Sequence, residues 1–297
     1  LKSNKMRKIF INQLVRAATK NKKIVLVVGD LGYGIIEPFK KKFPNRFFNA
    51  GVAEQSMAGI AAGLALKGFH VFIYSIANFP TFRCAEQIRN DIDYHNLPVT
   101  IVSVGAGLGY GNLGYSHHAI QDYALIRSFP NTLIASPSNN QEVEGVLSYL
   151  INKPQPSYLR LDKSLELNSN KRISKIYPGK WIYYKNKSTN KNVIISTGSV
   201  FKNCEKIFNK NKNYDWATLP IWSMKSKDQQ IYNLKKYKKV VTVENHLQDG
   251  GFGSWLSESL TKNSNDIGTK ITSKFLDKKV IGKVGSEQYL NSKYGLK

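Results

Sequence analysis

NRFFNAGVAEQSMAGIAAGLALKGFHVFIYSI, residues 45–76, reads in turn as strand, helix and strand. NRFFNAG and HVFIYSI (70–76) are short and rich in aromatic or β-branched side chains, which suit a pleated surface. AEQSMAGIAAGLALKG between them is too long for a strand and stops at Gly68, the residue type that closes helices because it accepts the left-handed conformation. A strand–helix–strand unit joins parallel strands, and the alternation continues on both sides. Upstream, MRKIFINQLVRAATKN spaces Ile9, Leu14, Val15 and Ala18 as an amphipathic helix, and KIVLVVGD reads as a buried parallel strand. Downstream come helix TFRCAEQIRNDIDYHN (81–96), strand PVTIVSVG (98–105), the glycine-rich loop GAGLGYGNLGYSHH, helix AIQDYALIRSF, strand NTLIASPS (131–138), helix QEVEGVLSYLIN and strand PSYLRLDK. The fold class is therefore α/β, with a doubly wound, mainly parallel-sheet domain over 1–165. The polar stretch 166–190 is expected to link it to a smaller α/β domain over 191–297. That domain is read from strand NVIISTGS, helix VFKNCEKIFNKN, strand YDWATLP, strand NLKKYKKVVTVENH and helix GGFGSWLSESL.

The 297 residues suffice for two such cores. With 41% hydrophobic and 11% aromatic residues the chain is globular rather than disordered. No apolar run is long enough to cross a bilayer, and no apolar segment follows the basic N-terminus, so a cytoplasmic protein is expected. A formal charge of +24 raises the possibility of nucleic-acid binding. Its lysines, however, are scattered among Asn, Ile and Tyr, and no helix-turn-helix, zinc-finger or RNA-binding signature accompanies them. A solvated basic surface is expected, with attraction to anionic ligands or an acidic partner as the alternative. Two distant cysteines, Cys84 and Cys204, form no disulfide framework or metal motif.

The glycine loops do not fit nucleotide-binding patterns. In VVGDLGYG the glycines fall at 29, 32 and 34, outside the G-x-G-x-x-G spacing, and a proline follows where the phosphate-binding helix should run. Glu54 is a stronger candidate. A glutamate opening a helix is ordinarily favoured there by the helix dipole alone. Here the helix behind it carries Ala58, Gly59, Ala61, Ala62 and Ala65, small residues that permit close packing. Such packing would draw Glu54 into a dry site, and burial disfavours the charged carboxylate, which suits a group that shares a proton.

Gly51-Val52-Ala53-Glu54-Gln55 resembles the cofactor-activating signature of transketolases and 1-deoxyxylulose-5-phosphate synthases. The resemblance continues in order through IYSIANFPTFRCAEQIRND, NLPVTIVSVGAGLGYG, GYSHHAIQDYALIRSFPN and IASPSNNQE, covering most of residues 7–165. IISTGSV, TVENHLQDGGFGS and GSEQYLNSKYGL resemble the family's C-terminal domain less strongly. The resemblance implies that Glu54 bonds N1′ of the aminopyrimidine of thiamine diphosphate and, by sharing a proton, favours its imino tautomer. It also implies that Phe79 lies against that ring, with Phe82 lining the same pocket. His117 takes the place of the family's active-site histidine facing the substrate oxygens, and His118 a position usually held by Gln. Arg83, Arg160 and Arg7 correspond to arginines near the substrate or its phosphate. Glu244, His246 and Asp249 correspond to a turn with a structural or interface role.

Departures from the family pattern narrow the reading. Leu113 stands where transketolases carry an aspartate that senses a sugar hydroxyl, and Gly34 where a serine binds phosphate. These losses point to an unusual sugar, a nucleotide-linked one included. The Gly-Asp-Gly motif that holds Mg²⁺ and the diphosphate is absent; Gly29-Asp30-Leu31 is the nearest string. A separate subunit is therefore expected to supply that half, giving a split α₂β₂ enzyme that moves a two-carbon ketol unit. The alternatives are a 2-oxo acid dehydrogenase beta-like subunit, a 1-deoxyxylulose-5-phosphate synthase-like enzyme, and a non-catalytic scaffold subunit.

Overall fold

Buried runs of Val, Ile and Phe lie at the centre of two sheets in the computed structural model, which describes residues 5–163, 173, 175–187, 189–261 and 268–296. In chain order the strands are β1 (Ile24–Val28), β2 (Phe47–Asn49), β3 (His70–Ile76), β4 (Val99–Val104), β5 (Leu133–Ala135) and β6 (Ser157–Leu161) in the first half. The second half adds β7 (Ile182–Lys185), β8 (Asn192–Ser196), β9 (Tyr214–Thr218), β10 (Ile221–Trp222), β11 (Lys239–Val243) and β12 (Lys270–Lys274). One sheet runs β10-β5-β6-β4-β3-β1-β2, the other β12-β11-β8-β9-β7. Among the described residues, only β10 and β7 are antiparallel to their neighbours. The α/β class with a mainly parallel first sheet is as read from the sequence. β1, IVLVV, is buried along its whole length, because helices cover both faces of a parallel sheet.

The helix Glu54–Leu66 turns Met57, Ala58, Ala61, Ala62 and Ala65 into the core. Their small side chains let it lie close over β1 and β3. It ends at Gly68, which takes the left-handed φ of 83° and whose N–H donates to the Ala65 carbonyl at 2.9 Å. The helix Lys5–Lys20 buries Met6, Phe10, Ile11, Leu14 and Ala18, and packs on the helix Asn140–Asn152.

Several boundaries differ from the sequence reading. Residues 81–96 do not form one α-helix; Phe79–Arg83 and Ile88–Asp93 wind as wide π turns around a short α turn at Ala85–Gln87. A π turn takes one residue more than an α turn and often marks a functional site. The expected linker 166–190 contains β7, which pairs with β9 in the second sheet; its residues 166–172 lie outside the described residues. β10 comes from the second half of the chain, yet it closes the first sheet through Ile221 on Ala135. The expected strand NLKKYKKVVTVENH divides into a helix at Ile231–Leu234 and β11.

A buried carboxyl ties the halves together. Asn139 caps the helix Asn140–Asn152 by accepting from the Glu142 N–H at 3.0 Å, and Glu142 accepts from the Ser138 N–H at 2.7 Å. The same carboxyl accepts from Tyr184 Oη at 2.7 Å and Thr218 Oγ1 at 2.5 Å in the second sheet. Burial pushes its pKa up, against those hydrogen bonds.

His70, buried at the start of β3, has its pKa pushed down by desolvation from 6.5 to about 4. Between those values the unfolded chain holds more protons than the folded one, so acidification through this window removes stability. The expected loss from His70 is about 3 kcal/mol. His70→Gln should therefore flatten the fall in melting temperature between pH 6.5 and 4, measured by circular dichroism. An unchanged slope would contradict the assignment.

Candidate functional site

In the first sheet the chain passes from β1 to β2 on one side and then to β3 on the other. The crevice at the carboxyl ends of β1 and β3 is thus a topological switch point, where doubly wound sheets bind ligands. Glu54 opens its helix there. Its side chain is 1% exposed, and Ser75 Oγ, near the end of β3, donates to Oε1 at 3.2 Å. Gly29 follows β1, and a Cβ on it would stand 3.3 Å from Oε1. The glycine keeps the crevice open beside the carboxylate.

The wide turn Phe79–Arg83 forms the next wall. Arg83 Nη1 donates to Glu54 Oε2 at 2.8 Å, while its guanidinium carbon lies 4.0 Å over the Phe79 ring. The Arg83 side chain is 46% exposed, so the pair sits at the mouth of the crevice. Phe79 also meets His117 edge-on, with ring centroids 5.1 Å apart. His117 Nδ1 shares a 2.9 Å hydrogen bond with Ser116 Oγ, and Asn78 Nδ2 donates to the Ser116 carbonyl at 2.8 Å. Partial burial, then the Arg83 charge, hold the His117 pKa below its ordinary value, which favours neutral imidazole.

Arg7 and Lys163 bound the same opening. Arg7 Nη2 donates to the Lys163 carbonyl at 3.4 Å, and Lys163 Nζ lies 4.2 Å over the ring of Tyr110. Tyr110 in turn lies 6.3 Å from His117. The site therefore joins a buried carboxylate, an aromatic face, a half-buried imidazole and a basic rim. That set can hold a flat polar ring inside and an anionic group outside.

Residues 2–166 match the family model of the transketolase pyrimidine binding domain, and residues 183–295 that of the transketolase C-terminal domain. The chain belongs to the transketolase family. It is 32% identical to a putative transketolase C-terminal section of Methanocaldococcus jannaschii over 98% of this chain and 92% of the relative. It is 31% identical to one subunit of an apulose-4-phosphate transketolase of Actinobacillus succinogenes, over 88% and 85% respectively. Identity to a 1-deoxy-D-xylulose-5-phosphate synthase of Clostridium perfringens is 32% over 91% of this chain, but only 44% of the synthase is spanned. A solved split-gene transketolase, described as an inactive beta4 tetramer, superposes with a TM-score of 0.81 at 28% identity, covering 98% of this chain and 93% of that one.

In this member of the transketolase family, Glu54, Phe79, Arg83 and His117 come together in space, and Arg7 lies at the rim. Two anticipated residues do not join them. Phe82 is 43% exposed, because on a wide turn positions four apart share a face, so Phe79 and Arg83 meet at the crevice while Phe82 points elsewhere. Arg160 is a clear correction: it is fully buried and ion-paired to Asp122 at 2.6 Å, with no donor directed at solvent or substrate. His118 is buried as well, its Nε2 lying 3.4 Å from the Gly111 carbonyl. Leu113 is exposed.

Sequence reasoning missed Ser75 and Lys163. Ser75 was visible as the polar interruption of HVFIYSI, and Lys163 as the first cation past β6. Both cysteines are buried, and burial pushes each thiol up to about 12. Glu244 accepts from the N–H groups of Phe252 and Gly253 at 2.6 and 2.7 Å. It thereby caps the helix Phe252–Thr261, and burial raises its pKa to about 8. Among the described residues no cluster of three His, Cys, Asp or Glu side chains could hold a metal ion, and no helix is long and apolar enough to cross a membrane.

Proposed function

We propose that this chain is the pyrimidine-binding subunit of a thiamine-diphosphate-dependent enzyme that moves a two-carbon ketol unit between sugars. One observation carries the reading: the buried Glu54 carboxylate at the switch point, with a planar cation already stacked on Phe79 and bonded to it. The Arg83 guanidinium is flat, donates an N–H to Oε2 and lies against Phe79. An aminopyrimidine ring that carries a proton on its ring nitrogen, as the protonated ring and the imino tautomer do, has the same three properties, so these residues fit the cofactor, with Arg83 moving aside toward the substrate. Thiamine diphosphate, when bound, supplies the electron sink for cleaving the ketose. Glu54 Oε2 holds and returns the proton at the ring nitrogen, Phe79 fixes the ring plane, and Ser75 orients the carboxylate. His117, kept neutral, donates to the substrate oxygen as charge develops.

Mg²⁺ and the diphosphate would be held mainly by a partner subunit, with α₂β₂ as the expected assembly. The relatives described as a C-terminal section and as one subunit of a transketolase support this. The test is calorimetric titration of thiamine diphosphate and Mg²⁺ into the chain with and without a partner carrying Gly-Asp-Gly. Tight binding by this chain alone would overturn the division. A synthase-like reaction is the second reading, favoured by the 32% identity to such enzymes; release of carbon dioxide from pyruvate would identify it.

Arg7 and Lys163 at the rim make a phosphorylated sugar the expected substrate class. Gly34, with open space around it, and exposed Leu113 support a sugar other than the common pentose phosphates. Arg7→Ala with Lys163→Ala should raise KM for the phosphorylated sugar about 10- to 100-fold, the worth of one or two charge-assisted hydrogen bonds. The unphosphorylated sugar should be unaffected. Equal losses for both sugars would exclude the assignment.

A further inference from the structure

Arg160 does not reach the substrate, but its environment gives it another task. Its guanidinium reaches Asp122 through Nε at 2.6 Å and Nη2 at 3.3 Å. Nη2 also donates to the Ala119 carbonyl at 2.7 Å, and Nη1 to Asn245 Oδ1 at 2.6 Å and Tyr123 Oη at 3.2 Å. Asn245 and its neighbours belong to the second domain. Ala119 lies two residues beyond His117 and exchanges hydrogen bonds of 3.0 and 2.9 Å with Gly107, so it closes the neck of the glycine-rich loop.

The second domain grips that neck at two further points. The Leu247 N–H donates to the Ile120 carbonyl at 3.0 Å. Gly107, at φ +60°, lies so near Asn245 that a Cβ would stand 2.6 Å from Nδ2; only glycine permits the approach. Asn245 is itself held by donating to Ser199 Oγ at 3.0 Å, and His246 stacks on Tyr123 with ring centroids 5.0 Å apart.

The location is informative. In the second sheet the chain passes from β8 to β9 on one side, then to β11 on the other. Ser199 and Asn245 follow the carboxyl ends of β8 and β11, so they line that sheet's own switch point. The crevice where such a sheet ordinarily takes a ligand is filled by Arg160, Asp122 and Tyr123 of the first domain. A buried ion pair contributes little net stability but can fix one arrangement among several.

We propose that Asn245 and Arg160 are positioning residues through which the second domain sets the His117 loop. The link to catalysis rests on the proposed role of His117; the structural part does not, and can be read without cofactor or substrate. The experiment is hydrogen–deuterium exchange on the full chain carrying Asn245→Ala. Exchange over residues 105–121 should rise about tenfold, with the helix Glu54–Leu66 and β8 unchanged. Asn245→Asp, which keeps an acceptor for Arg160, should restore protection. Ser199→Ala, a milder change, should loosen the same peptides to a smaller degree and serves if Asn245→Ala fails to fold. In the enzyme assembled with its partner, Asn245→Ala should lower kcat about tenfold and leave the Kd for thiamine diphosphate unchanged. Unchanged exchange in the loop, an even rise across both domains, or a loosened loop with unchanged kcat would each overturn the proposal.

Discussion

Glu54→Gln is expected to lower turnover about 10³-fold, the scale of a lost general acid–base group, while the melting temperature stays near that of the parent chain. Glutamine matches glutamate in shape. Its amide oxygen can still accept from Ser75 Oγ, which bonds Oε1 at 3.2 Å, so the crevice should keep its form. Its nitrogen, however, cannot take and return a proton at a ring nitrogen. Loss of the charge frees Arg83, but that side chain is 46% exposed and water can solvate it. The catalytic and structural consequences should therefore separate. The check is turnover of the co-purified enzyme beside a thermal melt followed by circular dichroism. Activity within tenfold of the parent would remove Glu54 from its proposed role. A matching collapse of the melting temperature would instead make it a structural residue. Glu54→Asp adds a finer test: it keeps the charge and withdraws it by one methylene, so partial activity should remain.

What the sequence revealed about this site followed the range of the interactions involved. Glu54 was legible because its surroundings are local: a short strand before it and a run of small residues on the helix after it, although that strand, read as buried, lies at the sheet edge with Phe48 exposed. The parallel strands were legible for a similar reason, since burial on both faces leaves continuous apolar runs such as IVLVV. The wide turn that stacks Arg83 on Phe79 was not, because PTFRCAEQIRN has the composition of an ordinary helix and the extra residue per turn leaves no mark on its periodicity. β10 is only two residues long and exists because Ile221 meets Ala135 from the far side of the first domain. Arg160 was misplaced for the same reason. Near the end of the strand within PSYLRLDK it looks like a strand-end cation, whereas its partners Asp122, Ala119 and Asn245 lie 38, 41 and 85 residues away. Lys163, a little further along the chain, is the residue that reaches the rim.

Arg160→Met should cost about 3–5 kcal/mol of stability, the usual consequence of leaving one member of a buried pair without its partner. Asp122 would keep a hydrogen bond from Tyr158 Oη at 2.8 Å, with His246 Nε2 3.8 Å away. Neither replaces a guanidinium. Desolvation also holds the His246 pKa down at about 4, against the pull of Asp122, so near neutral pH the imidazole carries no compensating charge. The Asp122→Asn partner change separates the electrostatic loss from the lost packing. If the stranded carboxylate is the cause, Arg160→Met with Asp122→Asn should recover more than half of the single variant's loss, although it carries one more substitution. Urea denaturation with shared slopes would measure the three variants together. A single-variant cost below about 1 kcal/mol, on the scale of an exposed pair, would show that the buried charge pair is not held as the geometry requires. A full single-variant cost with no recovery in the double variant would assign the effect to packing around Tyr123 instead. Recovered stability without recovered loop protection would be the most telling result. The charge pair would then serve stability through Asp122, while the placing of the His117 loop would depend on the hydrogen bonds that only Arg160 can give to Ala119 and Asn245.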